Sequence, residues 1–184
     1  MGLDNGAIDI DSVGDYFTRI MRDSIFYYWY GTPWAFNGYT NNPRDGLVAC
    51  GYFISTPLKH IGLNVNRYKL AQQAADPIIR YVNGNAPVFQ TSDILELEKH
   101  LNNKPGNGLY IIGLSNHVGY ILRENGENFM VHSDYNLPVA VCKKSFATCE
   151  ALHSSDVYVL GELSTNSDFL NTWLRGTRVE VKNN

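Results

Sequence analysis

The stretch Glu124-Asn125-Gly126-Glu127, set between two apolar runs, constrains this chain more than any other feature. Asn and Gly tolerate positive φ at the two central positions of a tight turn. The stretch therefore predicts a β-hairpin joining His117-Val118-Gly119-Tyr120-Ile121-Leu122 to Phe129-Met130-Val131-His132. If the turn has two residues, Glu124 faces Glu127, and every other opposed pair follows. His132 then lies opposite Gly119 and Asp134 opposite His117. Strand side chains alternate with period two, so these four positions share one face, and a register slip of one residue would separate them. His132 becomes a diagonal neighbour of His117, within about 7–8 Å, and Gly119 leaves it room.

The rest of the second half also reads as sheet. Leu109-Tyr110-Ile111-Ile112-Gly113-Leu114 and Val157-Tyr158-Val159-Leu160 are further candidate strands. The first half reads as helix. Phe17, Ile20, Met21, Ser24, Ile25 and Tyr28 recur at spacings of three and four, which predicts one buried face of a helix running from about Ser12. Residues 31–46 are rich in turn formers and aromatics and predict an ordered surface loop. Cys50 then opens a short apolar helix limited or kinked by Pro57. Another helix is expected over Arg67 to Ala75, with Pro77 near its end. A third follows Thr91 or Ser92 as cap. Helices first and an antiparallel sheet after make an α+β fold.

With 184 residues, 44% of them hydrophobic, residues 1–184 suit a single domain with a sizeable core. The net charge of −3 and the absence of any basic stripe argue against nucleic acid or an anionic membrane as partner. No apolar run approaches the roughly 18 residues of a membrane span. Met1-Gly2-Leu3-Asp4-Asn5 carries neither a basic nor an apolar stretch, so no signal peptide is expected in this sequence. Three cysteines, Cys50, Cys142 and Cys149, do not make a disulfide framework. Cys142 and Cys149 read either as a bridge or as two half-buried thiols, and Cys50 is left over in both cases.

A cysteine nucleophile needs a helix N-terminus and a neighbouring imidazole to favour the thiolate and to supply donors for an oxyanion. Cys50 ends a Gly- and Pro-containing loop and opens an apolar helix. The hairpin supplies His117 as base, with His132 or Asp134 to orient it. A free cysteine in an apolar segment is more often simply core. It is the histidine pair that raises Cys50 above that reading.

These residues resemble the NlpC/P60 family of papain-like cysteine peptidases. The resemblance rests on Cys50-Gly51-Tyr52-Phe53-Ile54, on Asn116-His117-Val118-Gly119-Tyr120-Ile121, and on Phe129-Met130-Val131-His132-Ser133. Arg67 to Gln73 is similar to the family's Arg-to-Gln segment, and Tyr28-Trp29-Tyr30-Gly31 to its Tyr-x-aromatic-Gly motif. The match spans about residues 28–134, with 137–184 as a C-terminal extension of the same domain. It implies a papain-like fold, N-terminal helices packed on a C-terminal antiparallel sheet. It also implies cleavage of amide bonds in bacterial peptidoglycan stem peptides through a Cys50 thioester, at the cell wall or in the periplasm. The catalytic residues it implies are Cys50, His117 and His132, with Tyr28 near substrate or oxyanion. Family members carry Asp-Cys-Ser-Gly at the nucleophile, where this chain has Ala49-Cys50-Gly51-Tyr52. The family's Asp holds the free amino end of a stem peptide, and Ala49 offers no such group.

No cofactor is expected. A metal site built from His117, His132 and Asp134 would use suitable ligands but leave Cys50 unexplained. His60, His100 and His153 lack partners at useful spacing. Two other functions fit the same residues: a transglutaminase-like acyl transferase using Cys50, His117 and Asp134, and a cell-wall-binding module that kept only the scaffold.

Overall fold

The structure is a computed structural model and describes residues 9–182; the Met1 to Asn5 stretch read for a leader lies outside them. Helix α1 (Ile10–Ile20) starts at Asp9, whose carboxylate accepts the N–H groups of Asp11 and Ser12. The helix continues through a π-helical stretch, Met21–Phe26, into α2 (Tyr27–Trp29). The large buried side chains are Phe17, Met21, Phe26 and Trp29, not the series through Ile25 and Tyr28 that a uniform α period predicts. A π turn carries one extra residue, which rotates everything after it by about 100° around the axis. Trp29 therefore turns inward and Tyr28 outward.

The following loop is ordered, as expected. Arg44 donates to the carbonyls of Tyr27 and Tyr30, both at 3.0 Å, and Val48 bridges to Trp34 and Tyr39. Helix α3 (Cys50–His60) continues past Pro57 and does not end there. Pro57 leaves the Phe53 carbonyl without its helical donor. The Tyr120 hydroxyl donates to the adjacent Ile54 carbonyl at 2.8 Å and ties the helix to the sheet. The helix expected over Arg67 to Ala75 is instead two. α4 (Arg67–Ala71) ends early, and α5 (Ala75–Asn83) holds Pro77 in its first turn, where a missing N–H costs nothing. After β1 (Phe89–Thr91), α6 (Ile94–Asn102) is capped by Asp93, one residue beyond the expected Thr91 or Ser92.

Strands β2 (Gly108–Leu114), β3 (Val118–Glu124), β4 (Glu127–Ser133) and β5 (Val141–Ser145) form a meander. A short helix α7 (Glu150–His153) leads to β6 (Tyr158–Glu162), and α8 (Ser167–Leu174) follows. All pairings in the six-stranded sheet are antiparallel, in the order β1-β6-β2-β3-β4-β5. The fold is α+β. The sheet is covered on both faces, which explains why every residue of β2 is buried. Leu109, Ile111, Tyr120 and Val131 join the core made with α1, α3 and α5. Tyr110, Ile112, Ile121 and Met130 join a second cluster with α6 and α7. The tail after residue 137 thus supplies two strands of the sheet. Its α8 returns to α1, where Phe169 meets Phe17 edge to face at 5.1 Å. Among the described residues no helix is long and apolar enough to cross a membrane.

Candidate active site

The hairpin register is the expected one. Glu124 pairs with Glu127 and Tyr120 with Val131, through a turn with Asn125 at φ 51° and Gly126 at φ 86°. His132 comes to lie over Gly119, where a Cβ would stand 3.1 Å from that of His132. His117 sits just ahead of β3, and its Nε2 meets His132 Nδ1 at 2.8 Å. Asp134 does not touch His117 in this arrangement. Its Oδ2 lies 3.5 Å from His132 Nε2 and 2.6 Å from the Lys144 ammonium, while its Oδ1 accepts the Asn136 N–H at 2.9 Å. Of the two candidate orienting residues, His132 is the one in contact.

With Asp134 the nearest acceptor to His132 Nε2, this chain of contacts favours one set of tautomers. Burial acts to raise the Asp134 carboxyl, but the Lys144 and Asn136 hydrogen bonds and the neighbouring charges outweigh it and keep the group ionised. A carboxylate only accepts, so His132 carries its proton on Nε2 and presents a bare Nδ1. His117 then donates through Nε2, which leaves its Nδ1 lone pair as the free base. Burial, with the charge of His132 beside it, holds the His117 imidazole down at about 3. Burial likewise holds His132 at about 4, against the pull of Asp134. The ring of Tyr135 closes over His117 edge-on at 5.3 Å.

Cys50 is half-buried at the first position of α3. Ala49 supplies no side-chain cap, so the first N–H groups of the helix remain available. Burial pushes the Cys50 thiol up, and the nearby N–H groups of Val118, Gly51 and Cys50 itself work against that. The resting site holds a thiol and a neutral imidazole in one cleft. Gly51 is required by packing, because a Cβ there would stand 2.3 Å from the Ala71 carbonyl oxygen. On the other side of the site, the Ser133 hydroxyl donates at 2.7 Å to the carbonyl of Val48, two residues before the cysteine. The same strand that carries His132 therefore anchors the chain leading into Cys50.

Two clefts meet at Cys50, Gly51, Asn116 and His117. One, of about 520 Å³, is walled by Trp34, Phe36, Tyr39, Tyr52 and Tyr135; the other, of about 270 Å³, by small residues including Ala74, Ala75 and Ser115. No Asp, Glu, Lys or Arg lines either cleft. Arg67, buried, holds the aromatic wall by donating to the Tyr39 carbonyl at 3.0 Å and to Thr56 at 2.9 Å. Tyr28 is not part of this groove. It is 61% exposed, with its ring against Tyr27, because the π turn directs it outward.

Several residues of the site have no separate signal in the sequence. Lys144 reaches Asp134 from β5, a strand not anticipated, because Val141-Cys142-Lys143-Lys144 sets two apolar residues before two charged ones and lacks the alternation of a half-buried strand. Tyr135 and Asn116 stand in loops beside recognised residues, and adjacency was their only cue. Cys142 and Cys149 are both free thiols. Comparisons with protein-family models, curated proteins and solved structures found no match.

Proposed function

We propose that this protein is a cysteine hydrolase that cleaves amide bonds in bacterial peptidoglycan stem peptides through a thioester on Cys50. The observation that carries the reading is the shared groove. A cysteine at an uncapped helix N-terminus opens into the same cleft as His117, whose far nitrogen is held by His132 at 2.8 Å. The choice of substrate rests on the resemblance in the Cys50, His117 and His132 segments. The neutral groove accords with Ala49 standing in the place of the family's Asp: recognition falls on amide and ring contacts, not on a charged peptide end.

As the Cys50 sulfur attacks the substrate carbonyl, its proton passes to His117 Nδ1 and the carbonyl electrons move to oxygen. The N–H groups of Cys50 and Gly51 stand ready for that oxyanion. His117 returns the proton to the leaving amine as the C–N bond breaks, leaving the thioester. Water, deprotonated by His117, then releases the acid and restores the thiol. His132 keeps the imidazole in the productive tautomer, and the Asp134–Lys144 pair keeps His132 in its own.

The contact of His117 with His132, not Asp134, weighs against the acyl-transferase arrangement. The test is release of new amino groups from purified stem peptides, with intact-mass detection of an acyl adduct on Cys50. Cys50→Ala and His117→Ala are expected to lower turnover by about 10³-fold or more. Undiminished turnover in Cys50→Ala would remove the reading.

A further inference from the structure

Behind the proposed catalytic pair, on the side away from the groove, β4 and β5 gather a second cluster. His132 pairs directly with Cys142 across the two strands. Cys142 Sγ lies 3.9 Å from Asp134 Oδ2, which lies 3.5 Å from His132 Nε2. The three atoms all fall within 4.8 Å of one another. The buried Cys149 thiol approaches the same His132 nitrogen at 3.8 Å. In a tetrahedral zinc site, with bonds of about 2.0–2.3 Å, neighbouring ligand atoms sit about 3.3–3.7 Å apart. The cluster is within a few tenths of an ångström of those spacings on two of its edges.

We infer that His132, Asp134 and Cys142 form a binding site for a thiophilic divalent cation such as zinc, with Cys149 nearest to the fourth position. The donor set of thiol, imidazole and carboxylate is the one such ions select. The cluster already attracts positive charge, since the Lys144 ammonium occupies the outer side of Asp134 Oδ2. Cys142 is half-buried on the edge strand β5, so an ion reaches the cluster from solvent without passing through the groove.

The site has a consequence that rests on the proposed catalytic role of His117. Coordination through His132 Nε2 moves that ring's proton to Nδ1. His117 Nε2 must then accept, and the proton of His117 moves to Nδ1, the nitrogen that would otherwise serve as base. The Cys142 thiol proton is released to solvent, so the three protons are accounted for. The base is thereby switched off while the ion is bound.

The experiment titrates cobalt(II) into the chelator-treated full-length protein and follows the thiolate-to-metal charge-transfer band, with zinc as competitor. One ion per chain is expected, with the band intact in Cys50→Ala. Affinity is expected to fall about tenfold or more in Cys142→Ser and Asp134→Asn, and to rise in Lys144→Ala. Cys142→Ala, checked for native melting, guards against a folding defect in the serine variant. A band lost in Cys50→Ala but kept in Cys142→Ser places the ion on the catalytic pair and overturns the inference, as does no band in the folded wild type. Hydrolysis by the metal-free protein is scored separately. A bound ion without hydrolysis leaves the cation site standing and removes the catalytic reading; hydrolysis without a band does the reverse. Where both hold, zinc slows hydrolysis in the wild type and not in Cys142→Ser.

Discussion

The β3–β4 hairpin and the α1–α2 helix were both readable as periodic patterns, yet they met the structure differently. In the hairpin, one dipeptide fixed the register, and the pairing Tyr120 with Val131 follows from it. In the helix, the pattern held through Phe17 and Met21 and then slipped by one residue, to Phe26 and Trp29. A turn of the Asn-Gly type is stabilised by its own backbone, with φ of 51° and 86° that few other residues accept. A π turn has no comparable residue code; packing of the large side chains downstream selects it. Local chemistry therefore protects a register where it sits at the pivot, and long-range packing overrides periodicity where it does not.

The comparison breaks first, if it breaks, at the helix. Trp29→Ala is expected to cost about 3–5 kcal/mol in urea unfolding, whereas Tyr28→Ala should stay within about 0.5 kcal/mol and leave turnover unchanged. Equal losses at the two positions would mean that the π turn does not rotate the face.

The next effect probes the buried end of the hairpin. His132 is neutral in the fold, held at about 4 against 6.5 for an ordinary histidine. Its contribution is complete above pH 6.5 and is lost as pH falls towards 4, because the unfolded chain takes up the proton first. Between pH 7 and 4.5 the wild type should lose about 2–3 kcal/mol more than His132→Gln. Identical pH profiles would show His132 to be solvated, and the register with it wrong.

The smallest effect sharpens the same register. In Gly119→Ala the new Cβ would stand 2.7 Å from Met130 Cε and 3.1 Å from the His132 Cβ. The methionine end can yield and the histidine Cβ cannot. The expected cost is about 1–2 kcal/mol, with roughly tenfold slower turnover as the imidazole pair shifts.

Much of the fold class and part of the site were legible. Cys50, His117 and His132 each stood at a position with a mechanical signature: a helix start, a strand start, a cross-strand neighbour. Pro57 does not end its helix, which the Tyr120 hydroxyl on the Ile54 carbonyl ties to the sheet. Strand β5 and helix α8 went unread because their patterns are short and their partners are distant in sequence. Lys144 was lost with β5. Asp134 was placed beside the right residues but one link too close, since alternation gives the face of a strand and not the reach of a side chain.

By itself the sequence determined the hairpin, its register, and hence which residues share a face with His117. That information is local: turn torsions and a period of two suffice to carry it. Only the tertiary structure decided that Tyr28 points away from the groove, that His132 stands between His117 and Asp134, and that Cys142 completes a cluster behind them. Those outcomes depend on which strand pairs with β4 and on which side chains fill the core, and both are settled by packing between segments far apart in the chain.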